Sequence, residues 1–195
     1  EGNLFCLSTK DGKVLWTRDL KKDYGLEIPE WGTAAHPLVE AGQLICIVGG
    51  KGSVCVAFDK LTGRELWRAL SAAQPGYCPP VIHRISGRRQ LLIWHGDAVE
   101  ALDPTTGKVY WSVAIKPTFG MSVGQPVVEG RRVFVMSYNR VSACMEVAED
   151  GVVSYIHLRA HETLRSLVCR LLPVKKIYRH TTPERRYNTF FITKK

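Results

Sequence analysis

Apolar positions in this chain come in short runs, and the runs recur. "LICIV" within "HPLVEAGQLICIVGG" (36–50), "LLIW" within "PPVIHRISGRRQLLIWHG" (79–96) and "VFVM" within "QPVVEGRRVFVMS" (125–137) each follow a shorter apolar stretch introduced by proline. Their lengths and their Gly and Pro boundaries predict strands. Val54 to Phe58 is apolar at every position, which predicts a strand covered on both faces.

A phrase accompanies each run. "AFDKLTGRELW" (57–67) returns as "ALDPTTGKVYW" (101–111), and a looser copy, "CLSTKDGKVLW" (6–16), opens the chain with the acid and one Thr replaced. The residue types predict a hairpin. Asp59 or Asp103 accepts a backbone N–H two residues on, Pro104 presets the second turn position, and Gly63 or Gly107 supplies a positive φ, with Thr62 and Thr106 just before it. Trp16, Trp67 and Trp111 then fall on the return strand, each a broad apolar surface with an indole N–H that needs a partner.

Runs and phrases together give about four short strands per unit, an all-β chain whose sheets are apolar on both faces. Stacked radially against copies of itself, such a sheet becomes a blade of a β-propeller. A β-sandwich also has short, regularly spaced strands, but does not require one tryptophan phrase at corresponding points.

The pattern A-x-D-x-x-T-G-x-x-x-W, complete at Ala57–Trp67 and Ala101–Trp111, resembles the tryptophan-docking motif of pyrroloquinoline-quinone-type (PQQ-like) propeller repeats. The likeness covers residues 1 to 147. In wording such as "KKDYGLEIPEWGTAAHPLVEAGQL" the chain is most similar to bacterial PQQ-like repeat proteins, a superfamily with BamB-like and quinoprotein alcohol dehydrogenase-like members. The resemblance implies a partial propeller of four-stranded antiparallel blades: the last two strands of one blade, two full blades and the first strands of a fourth. It further implies a fragment of a larger ring, with open ends through which copies self-associate. The chain begins with Glu1, so any leader peptide is expected to have been cleaved or left out.

After Val147 no further copy of the phrase is read. The formal charge is +9, and its distribution is lopsided: residues 1 to 150 carry 17 Lys or Arg against 16 Asp or Glu, whereas 151 to 195 carry 10 against 2. Residues 148–195 therefore read as a basic, non-repeat tail. Leu158, His161, Leu164, Leu167, Val168, Leu171 and Leu172 have the spacing of a short amphipathic helix ended by Pro173. The tail admits three readings: a basic arm for nucleic acid or anionic lipid, a structured extension, or the product of a frame change. The coincident break in composition and period favours the last, so nucleic acid is not expected as a partner.

Candidate chemistry is sparse. Quinoprotein dehydrogenases place their quinone over a disulfide between adjacent cysteines, beside a calcium ion and a catalytic Asp, but no Cys-Cys dipeptide occurs here. Asp97, Glu100 and Asp103 lie close together in sequence, fewer oxygen donors than the six to eight that calcium takes. His36, His83 and His95 are candidates to converge on a metal, with separate packing roles as the plainer reading. "GGKGS" (49–53) lacks the spacing of a phosphate loop and reads as a hairpin tip. If it is one, Cys46 and Cys55 are expected to face each other across neighbouring strands, within reach of a strained disulfide. No catalytic or metal residue is assigned and no cofactor is expected; PQQ with calcium belongs only to the alternative, a fragment of a quinoprotein dehydrogenase. The expected role is protein binding or scaffolding, and the resemblance implies a periplasmic location. No run of about 18 apolar residues indicates a membrane span.

Overall fold

The computed structural model describes residues 2–139, 141–151 and 153–157, with the pairs 178–179 and 190–191. The chain divides into two units, 1–158 and 159–195, each considered by itself. In the second, β15 (Tyr178–Arg179) pairs antiparallel with β16 (Phe190–Phe191). The amphipathic spacing read across 158–172 lies outside the described residues.

The first unit is an arc of a β-propeller. Sheet 1 pairs β1 (Asn3–Leu7) with β2 (Val14–Asp19). Sheet 2 has the order β3 (Leu38–Glu40), β4 (Gln43–Ile47), β5 (Cys55–Asp59), β6 (Glu65–Ala69), and sheet 3 the order β7 (Val81–Ile85), β8 (Arg88–Trp94), β9 (Ala98–Leu102), β10 (Val109–Ala114). Sheet 4 is also four-stranded: β11 (Val127–Glu129), β12 (Arg132–Met136), β13 (Ser142–Val147) and β14 (Val153–His157). Its last strand comes from residues that the sequence pattern assigned to the tail. Neighbouring strands within each sheet are antiparallel.

Each space between adjacent sheets is filled by apolar side chains from both. Cys46, Val48, Val56 and Phe58 of sheet 2 and its β4–β5 connection pack with Leu4 of sheet 1 and with Leu20 and Leu26 after it. Ile45, Ile47, Cys55, Ala57 and Trp67, on the other face of sheet 2, meet Leu91, Ile93 and Leu102. Leu92, Trp94, Val99, Ala101 and Trp111 of sheet 3 meet Val133, Val135, Ala143 and Met145 of sheet 4. Alternate residues of one strand thus serve two layers, which explains why Val54 to Phe58 is apolar throughout.

The phrase forms the hairpin its residues predict. Asp59 Oδ1 accepts from the backbone N–H groups of Leu61 (3.0 Å) and Thr62 (2.8 Å) and from the Thr62 hydroxyl (2.9 Å). Asp103 Oδ1 accepts from Thr105 and Thr106 N–H at 2.7 and 3.2 Å. In the looser copy Ser8 Oγ takes one such bond, from Lys10 N–H at 3.3 Å. Gly12, Gly63 and Gly107 have φ of 72°, 69° and 72°, and each donates back to the residue four before it. All three hairpins carry an irregularity next to the pairs Cys6 with Trp16, Ala57 with Trp67 and Ala101 with Trp111. The β13–β14 hairpin has no such shift.

Two local features differ from the sequence reading. A five-residue helix, α1 (Leu20–Tyr24), follows β2; Asp19 caps its start by accepting from Lys22 N–H, and Gly25 ends it in the left-handed conformation. Cys46 and Cys55 do not face each other. Cys46 pairs with Val56 and Cys55 with Ile47, so the two side chains fall in different layers, and both are free thiols.

Candidate functional site

Because strands run antiparallel in chain order, connections alternate between two ends of the arc. The turn end carries the β1–β2, β5–β6 and β9–β10 phrases, and the loop end carries β2–β3, β4–β5, β6–β7, β8–β9, β10–β11 and β12–β13.

At the turn end, sheets are joined through tryptophan and glycine. A β-carbon placed on Gly63 would stand 2.6 Å from Trp16 Cε3, and one on Gly107 would stand 2.5 Å from Trp67 Cε3. The ring from one sheet therefore occupies space that only glycine leaves open on the next. Trp111 departs from this arrangement and lies in the layer with Val133, Val135, Ala143 and Met145.

The indole N–H groups find three different acceptors. Trp16 Nε1 donates to the Lys60 carbonyl of sheet 2 at 3.2 Å. Trp67 Nε1 donates to Gln43 Oε1 at 2.9 Å, and Gln43 Nε2 in turn donates to the Pro104 carbonyl of sheet 3 at 3.3 Å. Trp111 Nε1 donates to the buried Gln90 Oε1 at 2.7 Å, while Ser86 Oγ reaches the Val147 carbonyl of sheet 4 at 2.6 Å. Lys60 and Pro104 hold the same place after the phrase aspartate. In each space a donor from one sheet satisfies a carbonyl of the next, in a turn for Lys60 and Pro104 and at the end of β13 for Val147, although its chemistry changes from indole to amide to hydroxyl. Sequence reasoning assigned nothing to Gln43, Gln90 or Ser86; the usable signal was a glutamine set inside the apolar runs "GQLICIV" and "RRQLLIW".

The acidic and histidine candidates disperse. Asp103 is held in its turn and also accepts from Tyr110 Oη at 2.8 Å. Asp97 sits at the loop end, accepting from Ala73 N–H at 2.9 Å with Lys116 Nζ 3.6 Å away. Glu100 accepts from His95 Nε2 at 2.9 Å, and His95 Nδ1 accepts from Asp97 N–H at 3.2 Å, which fixes the Nε2–H tautomer. Burial pushes the Glu100 carboxyl up, but hydrogen bonds from His95 and Ser112 outweigh it and leave its pKa below the ordinary value. Asp97 and Glu100 are thus linked through His95 while Asp103 is engaged in its own turn, and the three carboxylates do not converge on a shared calcium site. His83 lies on β7, where burial lowers its pKa, and His36 is exposed beside the Pro37 carbonyl. Among the described residues, no three His, Cys, Asp or Glu side chains converge to hold a metal.

At the loop end the connections are tied to one another. Gly96 N–H donates to the Gln74 carbonyl, Gly52 N–H to Ser71 Oγ, Tyr77 N–H to the Ser122 carbonyl, and Asn139 Nδ2 to Thr118 Oγ1. "GGKGS" is the tip of the β4–β5 connection: Ser53 Oγ donates to the Gly49 carbonyl at 2.7 Å, and a β-carbon on Gly50 would strike the Tyr24 carbonyl oxygen. An open cleft of about 460 Å³ lies here, lined by Gly25, Glu27, Gly50, Lys51, Ser71 and Pro75 among others. Trp31, Phe119 and Tyr138 all project from this end, each more than half exposed. Trp31 is braced edge-on by Tyr77, with ring centroids 5.8 Å apart, and Phe119 holds a left-handed backbone at φ 57°.

A family model for outer membrane protein assembly factor BamB matches residues 1–168. The chain belongs to this family. Among solved structures, BamB from Moraxella catarrhalis superposes with a TM-score of 0.55 at 18% identity, covering 83% of this chain and 45% of that one. A quinohemoprotein alcohol dehydrogenase from Pseudomonas putida HK5 gives 0.48 at 17% identity, covering 68% and 21%. The chain thus spans less than half the length of the BamB structure. No curated protein matches. At these identities the BamB likeness shows the fold, in agreement with the PQQ-like repeat read from the phrases. Among the described residues, no helix is long and apolar enough to cross a membrane.

Proposed function

We propose that this member of the BamB family is a non-catalytic module that binds or scaffolds other proteins in the bacterial envelope, in the periplasm or another extracytoplasmic space. The observation that carries the reading is the loop end, where Trp31, Phe119 and Tyr138 stand exposed on connections held by hydrogen bonds. Rigidly held aromatic side chains are the commonest anchors of protein interfaces. Membership in a family described by outer membrane protein assembly supports the envelope setting. The arc, from β1 through β14, carries this role. Its phrase residues have structural roles in this reading: Trp16, Gly63, Trp67, Gly107 and Trp111 pack sheet against sheet, and Asp59, Thr62, Asp103 and Thr106 close the turns.

The test is retention of partners from a bacterial envelope extract by the immobilised chain, compared with a variant carrying Trp31→Ala, Phe119→Ala and Tyr138→Ala. A protein retained by the parent chain and lost with the variant is the expected result. Saturable binding of PQQ with calcium, together with dye-linked alcohol oxidation, would overturn the reading in favour of a quinoprotein dehydrogenase fragment.

A further inference from the structure

The walls of the loop-end cleft come from three connections: Gly25 and Glu27 from β2–β3, Gly50 and Lys51 from β4–β5, and Ser71, Ala72, Ala73 and Pro75 from β6–β7. Each wall is fixed to another. Gly50 lies so close to the Tyr24 carbonyl that no β-carbon fits there, and one on Gly49 would meet the side chains of Leu26 and Pro75. Ser71 Oγ accepts from Gly52 N–H at 2.8 Å, and Ala73 N–H is held by Asp97. Leu70, which leads into the third wall, holds φ 72°, a left-handed conformation that a bulky side chain adopts only at a cost. The cleft is therefore built before any ligand arrives, which spares a ligand the cost of ordering it.

Its chemistry is of two kinds. Glu27 and Lys51 carry opposite charges, and neither side chain has an ion-pair or hydrogen-bond partner among the described residues. Asp97 beside them is already engaged, by Ala73 N–H and Lys116. The rest of the lining is small, so main chain is within reach of a ligand, and the backbone N–H and C=O of Ala72 have no partner among the described residues. A ligand of one sign is disfavoured, because an anion would meet Glu27 and a cation would meet Lys51. An extended peptide suits both features: its backbone offers N–H and C=O groups to exposed main chain, and its side chains can bring one charge of each sign.

We infer that the cleft seats an extended segment of a protein partner, with a Lys or Arg of the segment set against Glu27 and an Asp or Glu against Lys51. This rests on the loop end being a protein-binding surface, and it names the part of the partner that is held. The two places are continuous: Trp31 lies on the same β2–β3 connection as Glu27, and Tyr77, which braces Trp31, follows Pro75 on the β6–β7 connection.

Amide chemical shifts of the full chain, followed during titration with capped peptides, test it. The probes are acetyl-Lys-Ala-Glu-amide and acetyl-Lys-Ala-Ala-Glu-amide, which put the two charges on the same side and on opposite sides of an extended chain. At least one probe should give saturable shifts, largest at Gly25, Gly50, Lys51 and residues 71–73. Glu27→Gln and Lys51→Met, both at exposed positions, should each weaken binding about threefold or more. Glu30→Gln, an exposed charge on the same connection but outside the lining, should leave binding unchanged. No saturable shift with either probe would sink the inference, as would equal binding of the analogues with Gln in place of both charged residues. Against the envelope extract, the chain carrying both Glu27→Gln and Lys51→Met should lose most of the protein that the parent retains. Full retention by that chain, alongside loss with the aromatic variant, would overturn the role of the cleft and leave the loop-end reading standing.

Discussion

The ring of Trp67 occupies the space that a side chain on Gly107 would need: a β-carbon there would stand 2.5 Å from Trp67 Cε3, although the two residues belong to different sheets. One glycine therefore does two jobs, turning the β9–β10 hairpin at φ 72° and receiving the indole of its neighbour.

These two jobs separate by mutation, because Gly12 has the same φ of 72° and no neighbour within 4 Å. Gly12→Ala incurs only the left-handed backbone penalty, roughly 1 kcal/mol, whereas Gly107→Ala adds displacement of Trp67 and is expected to cost roughly 3 kcal/mol. Urea unfolding midpoints of the two variants check this. Equal losses would mean that the Trp67 contact carries no weight.

Gln90 offers the second test. It is buried, and its amide accepts from Trp111 Nε1 while donating to the Ile85 carbonyl at 3.1 Å. Gln90→Leu leaves the buried Trp111 indole N–H without its acceptor and removes the added bond to the Ile85 carbonyl, and should destabilise the chain by about 2 kcal/mol. Thermal unfolding followed by tryptophan fluorescence measures the loss. A variant as stable as the parent would show that the amide is dispensable to the sheet 3 layer.

The residues the sequence reveals best are those whose partners lie two to five positions away. Asp59, Thr62 and Gly63 close their turn locally, so the hairpin is legible without knowledge of neighbouring sheets. The both-face burial of Val54 to Phe58 is legible for a similar reason, since it needs only the apolar run. What escapes is set by distance or by register. Gln43 and Ser86 acquire their roles only when another sheet brings Pro104 and Val147 alongside. The α1 helix is five residues long and is set by its caps, not by an apolar period. Strand β14 closes a hairpin without the Asp, Thr or Trp of the phrase, so a search for those residues passes over it. The cysteine pair fails by a single position: with Cys46 opposite Val56, Cys55 points to the other face of the sheet.

That correction has a chemical consequence. Burial pushes the thiols of Cys46 and Cys78 up to about 12 and raises Cys55 as well, so all three should resist alkylation in the folded chain at neutral pH. In denaturant without reductant, Cys46 and Cys55 should both label in full. Mass-spectrometric mapping of the labelled peptides decides the matter, and a Cys46–Cys55 linked peptide would contradict the register of β4 and β5.

The acid limb of the stability curve should report Glu100. Burial opposes charge on Glu100, yet hydrogen bonds from His95 and Ser112 prevail, so its folded pKa lies below the ordinary 4.5. As pH falls, the unfolded chain takes up this proton first, and stability present above the unfolded value is lost as pH drops through the folded one. Asp59, Asp97 and Asp103 are lowered from 3.8 by their turn and loop hydrogen bonds and act in the same direction further down the scale. Glu100→Gln keeps an acceptor for His95 Nε2 but has no proton to bind, so its unfolding midpoint should fall less steeply than the parent's between about pH 5 and pH 4, where Glu100 is the first of these carboxyls to respond. Urea titrations of both proteins across that interval test the assignment, and identical slopes would remove Glu100 from the account of acid sensitivity.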